Sequence, residues 1–208
     1  MYTERGKFGY LIVRKKNSLS VFYCILVWRK LWNYIEWRGI LLMLLRITNR
    51  DLRRSYMKIV DGKPYIDQVK NLIIEYTKKL GRDLTFQNID DELEDLAGKY
   101  TKPEGELLVA IDIRGNVGGM IAYHRHSEDR CEMKRLYVKP DFRGAKLGEQ
   151  LIREILERAK QEGYKEMVLD TIVPLQSAIH LYRKFGFVEC EPYYNNPMND
   201  VIYMKKKL

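Results

Sequence analysis

Between positions 143 and 148 the chain reads Arg-Gly-Ala-Lys-Leu-Gly, just ahead of a segment whose apolar residues recur at helical spacing. A helix that begins there offers N–H groups with no partner inside the helix, and the positive end of its dipole. Gly144 and Gly148 leave the backbone uncovered, so a diphosphate can approach it closely. Arg143 and Lys146 add positive charge at the same place. The same residues also describe a tight strand-to-helix turn with a basic, solvated rim, and the loop alone does not choose between the two.

Other side chains with chemical potential are more scattered. His124 and His126 stand two apart, on one face of a strand. Two ligands are too few for a metal centre, so no metal is expected, and His180 carries no motif. Cys24, Cys131 and Cys190 are far apart with no C-x-x-C pair. Neither zinc nor a disulfide framework is expected, and a reducing compartment, the cytoplasm, is the default. Cys131 and Cys190 read as buried small hydrophobes.

The elements that must position these groups follow from patterning. Ile66, Val69, Leu72, Ile73 and Tyr76 mark a helix within 65–80, stopped by Gly81. A shorter helix is predicted between Gln87 and Leu96, capped by Asn88 or Asp90. Apolar runs over 107–113 and 117–123, split by Arg114-Gly115-Asn116, predict a hairpin. Residues 132–138 form a further strand ended by Lys139-Pro140-Asp141. The stripe Leu147, Leu151, Ile152, Ile155, Leu156 and Ala159 defines the helix after the glycine loop. A strand from Met167, a short helix over 178–185 stopped by Gly186, a strand from Phe187 and a last strand over 201–204 complete the chain. Lys205 to Lys207 are expected to be solvated behind that strand. Helices alternating with strands argue for an α/β (α+β) fold, a mixed sheet with helices packed on its faces.

The 208 residues carry a formal charge of +9, which by itself points to nucleic acid or a membrane. Its distribution removes that reading for most of the chain. Residues 1–56 hold 12 Lys/Arg against 3 Asp/Glu, leaving 25 of each sign over 57–208, and all three tryptophans precede position 57. The boundary therefore falls at 56/57, and no nucleic-acid partner is expected. The apolar runs 21–28 and 40–45 are far short of the ~20 residues that span a bilayer. Residues 1–56 read as an extension upstream of a true start at Met57, as a basic interfacial segment on an anionic membrane, or as a packed accessory element. Membrane contact is expected only if this segment belongs to the native protein.

The stretch from Cys131 through Pro140, followed by Asp141-Phe142-Arg143-Gly144, resembles the acetyl-CoA-binding motif of the GNAT acetyltransferase superfamily. The segment Ala178-Ile179-His180-Leu181-Tyr182-Arg183-Lys184-Phe185-Gly186-Phe187 resembles the helix and strand that follow it in that superfamily. Asp83 to Gln87, Gly98-Lys99-Tyr100 and Pro192 to Pro197 are similar to a group of uncharacterised small acetyltransferases. The resemblance covers residues 57–208. Two positions depart from the pattern: Lys146 replaces the first loop glycine, and Leu175 replaces an Asn that often touches the cofactor's arm.

The resemblance implies a mainly antiparallel sheet splayed at an acetyl-CoA site, and direct acetyl transfer to a primary amine of a small molecule or peptide. It assigns cofactor binding to Leu136, Tyr137 and Val138 through their backbones, and to Arg143, Gly144, Ala145, Lys146, Leu147 and Gly148 at the phosphates. Tyr182 corresponds to the family's tyrosine near the sulfur, a proton donor to the departing thiolate. Its alternative is a half-buried tyrosine with its hydroxyl in water. Glu132 occupies the strand position where some members carry a general base; its alternative is an ion pair with Lys134 or Arg135. Phe86, Tyr100, Tyr193 and Tyr194 are candidates for an acceptor pocket, or aromatic core. Two rivals remain: a CoA-binding sensor without catalysis, and a membrane-surface adaptor working through residues 1–56. The acceptor and a homodimer are both left open.

Overall fold

The computed structural model describes residues 57–82 and 89–208, with the backbone of two short strands, Thr3–Arg5 and Leu11–Val13. The chain divides into two compact units, Met1–Asn49 and Arg50–Leu208. In the first, those two strands pair antiparallel. The other readings of residues 1–56, and the matches at Asp83 to Gln87 with Phe86 and Asn88, lie outside the described residues.

In the second unit the elements run β1 (Lys58–Asp61), α1 (Ile66–Leu80), α2 (Ile89–Glu94), α3 (Leu96–Tyr100), β2 (Gly105–Ile111), β3 (Val117–Arg125), β4 (Arg130–Val138), α4 (Leu147–Gln161), β5 (Glu166–Ile172), α5 (Gln176–Lys184), β6 (Val188–Glu189) and β7 (Val201–Lys207). The seven strands form one sheet in the order β1-β2-β3-β4-β5-β7-β6. Every pairing is antiparallel except β4 with β5.

Both faces of the sheet are covered, as the period-2 alternation of its strands requires. On one face Leu147, Leu151, Ile152, Ile155, Leu156 and Ala159 of α4 are all buried, and they pack with Leu108, Ile121, Met167, Leu169 and Tyr182. On the other, Val69, Leu72 and Ile73 of α1 meet Leu96 and Tyr100 of α3 over Leu107, Val109 and Met120. Among the described residues no helix is long and apolar enough to cross a membrane.

Three expectations change. The helix predicted up to Leu96 is two: Asp95 leaves helical geometry and accepts a hydrogen bond from Gly98 N (2.8 Å), capping α3 instead. The last strand does not stop at Met204, because Lys205, Lys206 and Lys207 pair with Val168, Met167 and Glu166. Their backbones are laddered while Lys205 and Lys207 stay exposed, so the side chains read as a solvated tail although the main chain is not one. Cys131 is buried as expected, whereas Cys190 is only half-buried.

Candidate active site

The site is made by an interruption in the sheet. The β4–β5 ladder pairs Arg130 with Glu166, Cys131 with Met167 and Glu132 with Val168, and then stops. Met133 to Val138 therefore turn their β5-facing edge to a widening gap. The register of β4 against β3 also slips, from Ala122↔Lys134 to Met120↔Tyr137, and Arg135 sits within the slip at a φ of 60°. A left-handed conformation at a residue with a side chain costs roughly 1–2 kcal/mol. Here a buried ion pair from Arg135 Nε to Glu92 of α2 fastens it.

The gap opens into a cleft of about 640 Å³. Leu136, Tyr137 and Val138 form one wall, and Arg143, Gly144, Lys146, Leu147 and Gly148 form one end. Tyr182 of α5 also faces it. Of the residues assigned to cofactor binding, only Ala145 is not on the cleft wall. The local geometry of the glycine loop fits a diphosphate. Gly144 has a φ of 88°, and Lys146, the N-cap of α4, has a φ of 54°. Lys146 thus takes the left-handed conformation a glycine would take, so the backbone path survives the substitution. No side chain caps α4, and Lys146, Leu147 and Gly148 at its start line the cleft end. Arg143 is steadied by a bond from its Nε to Val138 O (3.2 Å).

Tyr182 is 7% exposed, with its ring edge-on to Phe187. Burial pushes its phenol above the usual range, with Tyr76 and Asp170 adding to the effect. The hydroxyl is therefore protonated at neutral pH.

Glu132 lies elsewhere. It borders a second, smaller hollow of about 160 Å³, which shares Lys134 and Arg135 with the wall of the main cleft. Its carboxylate takes three donors: Lys134 Nζ (2.7 Å), His124 Nε2 (2.9 Å) and Tyr193 Oη (2.8 Å). Burial pushes this carboxyl up, but the His124 and Lys134 contacts outweigh it and hold the group down at about 2. The ion pair named as the alternative is present. Arg135 is not part of it, being bound to Glu92.

Asp170, central to the cleft floor, was not singled out from sequence, and Lys134 was named only as a partner for Glu132. Lys134 Nζ is 2.8 Å from Asp170 Oδ1, and Tyr194 Oη donates to Asp170 Oδ2 (2.9 Å). Asp170 is the lone charge inside the apolar strand Met-Val-Leu-Asp-Thr-Ile, and that isolation was the available signal. Tyr193 and Tyr194 thus each hold one of the two carboxylates beside Lys134. His124 is bound to Glu132, and His126 lies beyond the end of β3 with its ring edge-on to Tyr193.

Comparison with known proteins bears on the family and the fold. The profile of the Acetyltransferase (GNAT) family matches residues 67–187. An uncharacterised N-acetyltransferase of Schizosaccharomyces pombe is 47% identical over 144 residues, covering 69% of this chain and 88% of that protein. The N-acetylaspartate synthetase of Homo sapiens is 32% identical over 113 residues, 54% of this chain but 37% of its own length. Among solved structures, a GNAT-family acetyltransferase of Staphylococcus aureus Mu50 superposes with a TM-score of 0.62 at 22% identity, over 73% of this chain and 98% of that one. This last likeness speaks to the fold.

Proposed function

The chain belongs to the GNAT family of acetyltransferases and is an acyltransferase, and on that premise we propose that it moves an acetyl group from acetyl-CoA directly onto a primary amine. One observation carries this reading. An uncapped helix start and an unladdered strand edge border a single cleft that also meets a buried, protonated tyrosine. The family generally uses acetyl-CoA, and the chain's residues suit each part of it. The α4 amides with Arg143 and Lys146 take the diphosphate. The open edge from Leu136 to Val138 offers backbone groups to the pantetheine amides, and the thioester is directed to the cleft floor near Tyr182.

The reaction forms an N–C bond and breaks the C–S bond: the ammonium must lose one proton before attack and a second as the amide forms, and the departing sulfur must gain one. Tyr182 supplies the proton to sulfur and regains one from solvent. Its raised phenol keeps the proton until a thiolate needs it, and general acid help of this kind is worth roughly 10²- to 10⁴-fold. Glu132, the candidate base, is always ionised at neutral pH, yet a carboxyl held near 2 does not retain a proton. In this reading it acts through Lys134 and through water in the hollow it borders, while the amine's protons pass on to solvent. The separated cysteines favour a reducing compartment, and we place the protein in the cytoplasm on that ground.

The test is release of free thiol from acetyl-CoA by the full chain against a panel of primary amines. Amine-dependent release supports the reading. Tight CoA binding with no release for any amine favours the sensor instead.

A further inference from the structure

The main cleft is bordered from both faces of the sheet. The stripe of α1 packs over Leu107, Val109 and Met120, whereas Tyr182 packs with Leu108, Ile121 and Leu169 on the opposite face. Side chains from opposite faces can border one cavity where the strands part, and Tyr76 and Leu80 of α1 line the cleft together with Tyr182. Val69, Leu72 and Ile73, earlier in the same stripe, are buried in the core, but Tyr76 is half-buried.

Tyr76 is held in place with its hydroxyl unspent. Its ring lies against Tyr137 of β4, with centroids 5.5 Å apart. Tyr137 is itself fixed, donating to Glu75 Oε1 (2.9 Å) and accepting from Lys79 Nζ (2.9 Å). The Tyr76 hydroxyl has no hydrogen bond among the described residues and is not sealed from solvent. Burial pushes this phenol above its usual range, with Arg135 and Lys134 opposing and Asp170 adding. It therefore keeps its proton at neutral pH. Tyr76 in turn helps to raise the Tyr182 phenol, so the two are within electrostatic reach of each other.

Two atoms of a thioester gather negative charge during transfer: the carbonyl oxygen as the amine adds, and the sulfur as it leaves. A preorganised donor at the first is a large source of rate. Other donors on the cleft wall are committed. Lys134 and Arg135 are bound to carboxylates, Tyr137 to Glu75, and the Thr171 hydroxyl is sealed from solvent.

Resting on the acetyltransferase reading above, we propose that Tyr76 is a further catalytic residue, its hydroxyl donating a hydrogen bond to the carbonyl oxygen of the acetyl thioester while Tyr182 serves the sulfur. As the amine nitrogen bonds to the carbonyl carbon, the C=O π pair moves onto oxygen and Tyr76 stabilises it. When that pair re-forms C=O, the C–S pair leaves with the sulfur. Tyr76 keeps its own proton throughout.

The experiment uses Tyr76→Phe in the full chain, which retains the ring against Tyr137 and should leave Tm unchanged. Its kcat for thiol release should fall roughly 10²-fold. Calorimetry then compares two unreactive analogues in wild type and variant: the ketone in which CH2 replaces the sulfur of acetyl-CoA, and S-ethyl-CoA, which lacks the carbonyl. Loss of the hydroxyl should weaken the ketone by roughly threefold or more and leave S-ethyl-CoA unaffected. An affinity ratio between the two analogues unchanged by the substitution overturns the proposal, and so does undiminished turnover. If wild type releases no thiol with any amine, the acetyltransferase reading falls, and the titrations still decide whether Tyr76 meets the carbonyl.

Discussion

Lys134 on β4 and Asp170 on β5 stand two residues beyond Glu132 and Val168, where the parallel ladder ends, and their Nζ and Oδ1 atoms are 2.8 Å apart. A side-chain ion pair thus takes over where backbone bonds cease, and it sits at the apex of the split that forms the cleft. The strands are held together at one point and free to diverge beyond it.

Lys134→Met should therefore destabilise the fold strongly, by about 3–5 kcal/mol, because it leaves the buried Asp170 without its cation and Glu132 with only His124 and Tyr193. The double variant Lys134→Met with Asp170→Leu should recover part of that loss. Urea titrations of the three proteins check this. A single variant as stable as wild type would show that the pair carries no structural weight.

Tyr182→Phe keeps the ring against Phe187 and removes only the hydroxyl. Turnover should fall by roughly 10²-fold, with CoA affinity nearly unchanged. Steady-state kinetics and calorimetry together separate the two effects, and undiminished turnover would exclude Tyr182 as the donor.

At Gly148 an added Cβ would meet Leu181 Cδ1 at 3.4 Å, an ordinary contact. Gly148→Glu should therefore leave the fold intact. It should weaken CoA binding by about 10²-fold or more, because bulk and negative charge then stand at the helix start that favours anions. Thermal melting and CoA titration of the variant give the two readouts.

Lys146→Gly tests the left-handed N-cap from the other side. Relief of a φ of 54° should raise stability by about 1 kcal/mol, seen as a rise in Tm of about 2–4 °C.

Acid should unfold the protein partly through Glu132 and Glu92. Both carboxyls are held down to about 2 in the folded state. For Glu132, burial opposes the His124 and Lys134 contacts that win. For Glu92, burial opposes Arg135 and Lys99. The unfolded chain thus takes up these protons first as pH falls, so their contribution is complete above the ordinary carboxyl range and is lost between about pH 5 and pH 2. The loss is on the order of 2–3 kcal/mol for Glu132. Denaturant titrations across that window should show a shallower decline in Glu132→Gln.

What could be read from the sequence was what repeats locally. The α4 stripe from Leu147 to Ala159 appears with all six residues buried, because a 3.6-residue period needs no knowledge of the partner. The glycine loop was legible as a turn opening a helix and Tyr182 only through the resemblance to the GNAT family; both line the main cleft. The groups missed are those defined by distant pairing: Lys134 meets Asp170 36 positions away and Arg135 meets Glu92 43 away. Nothing local to Glu132 tells that three donors converge on it. The extension of β7 through Lys207 was hidden for a similar reason, since strand pairing is made by backbone and three lysines advertise only solvent.

The most direct test of the account is the affinity of the full chain for CoA compared with pantetheine, which has the arm but no diphosphate. If the bare amides at the start of α4 hold the diphosphate, CoA should bind about 10²-fold or more tightly, consistent with several charge-assisted hydrogen bonds. Equal affinities would place the phosphates off that ledge and contradict the account.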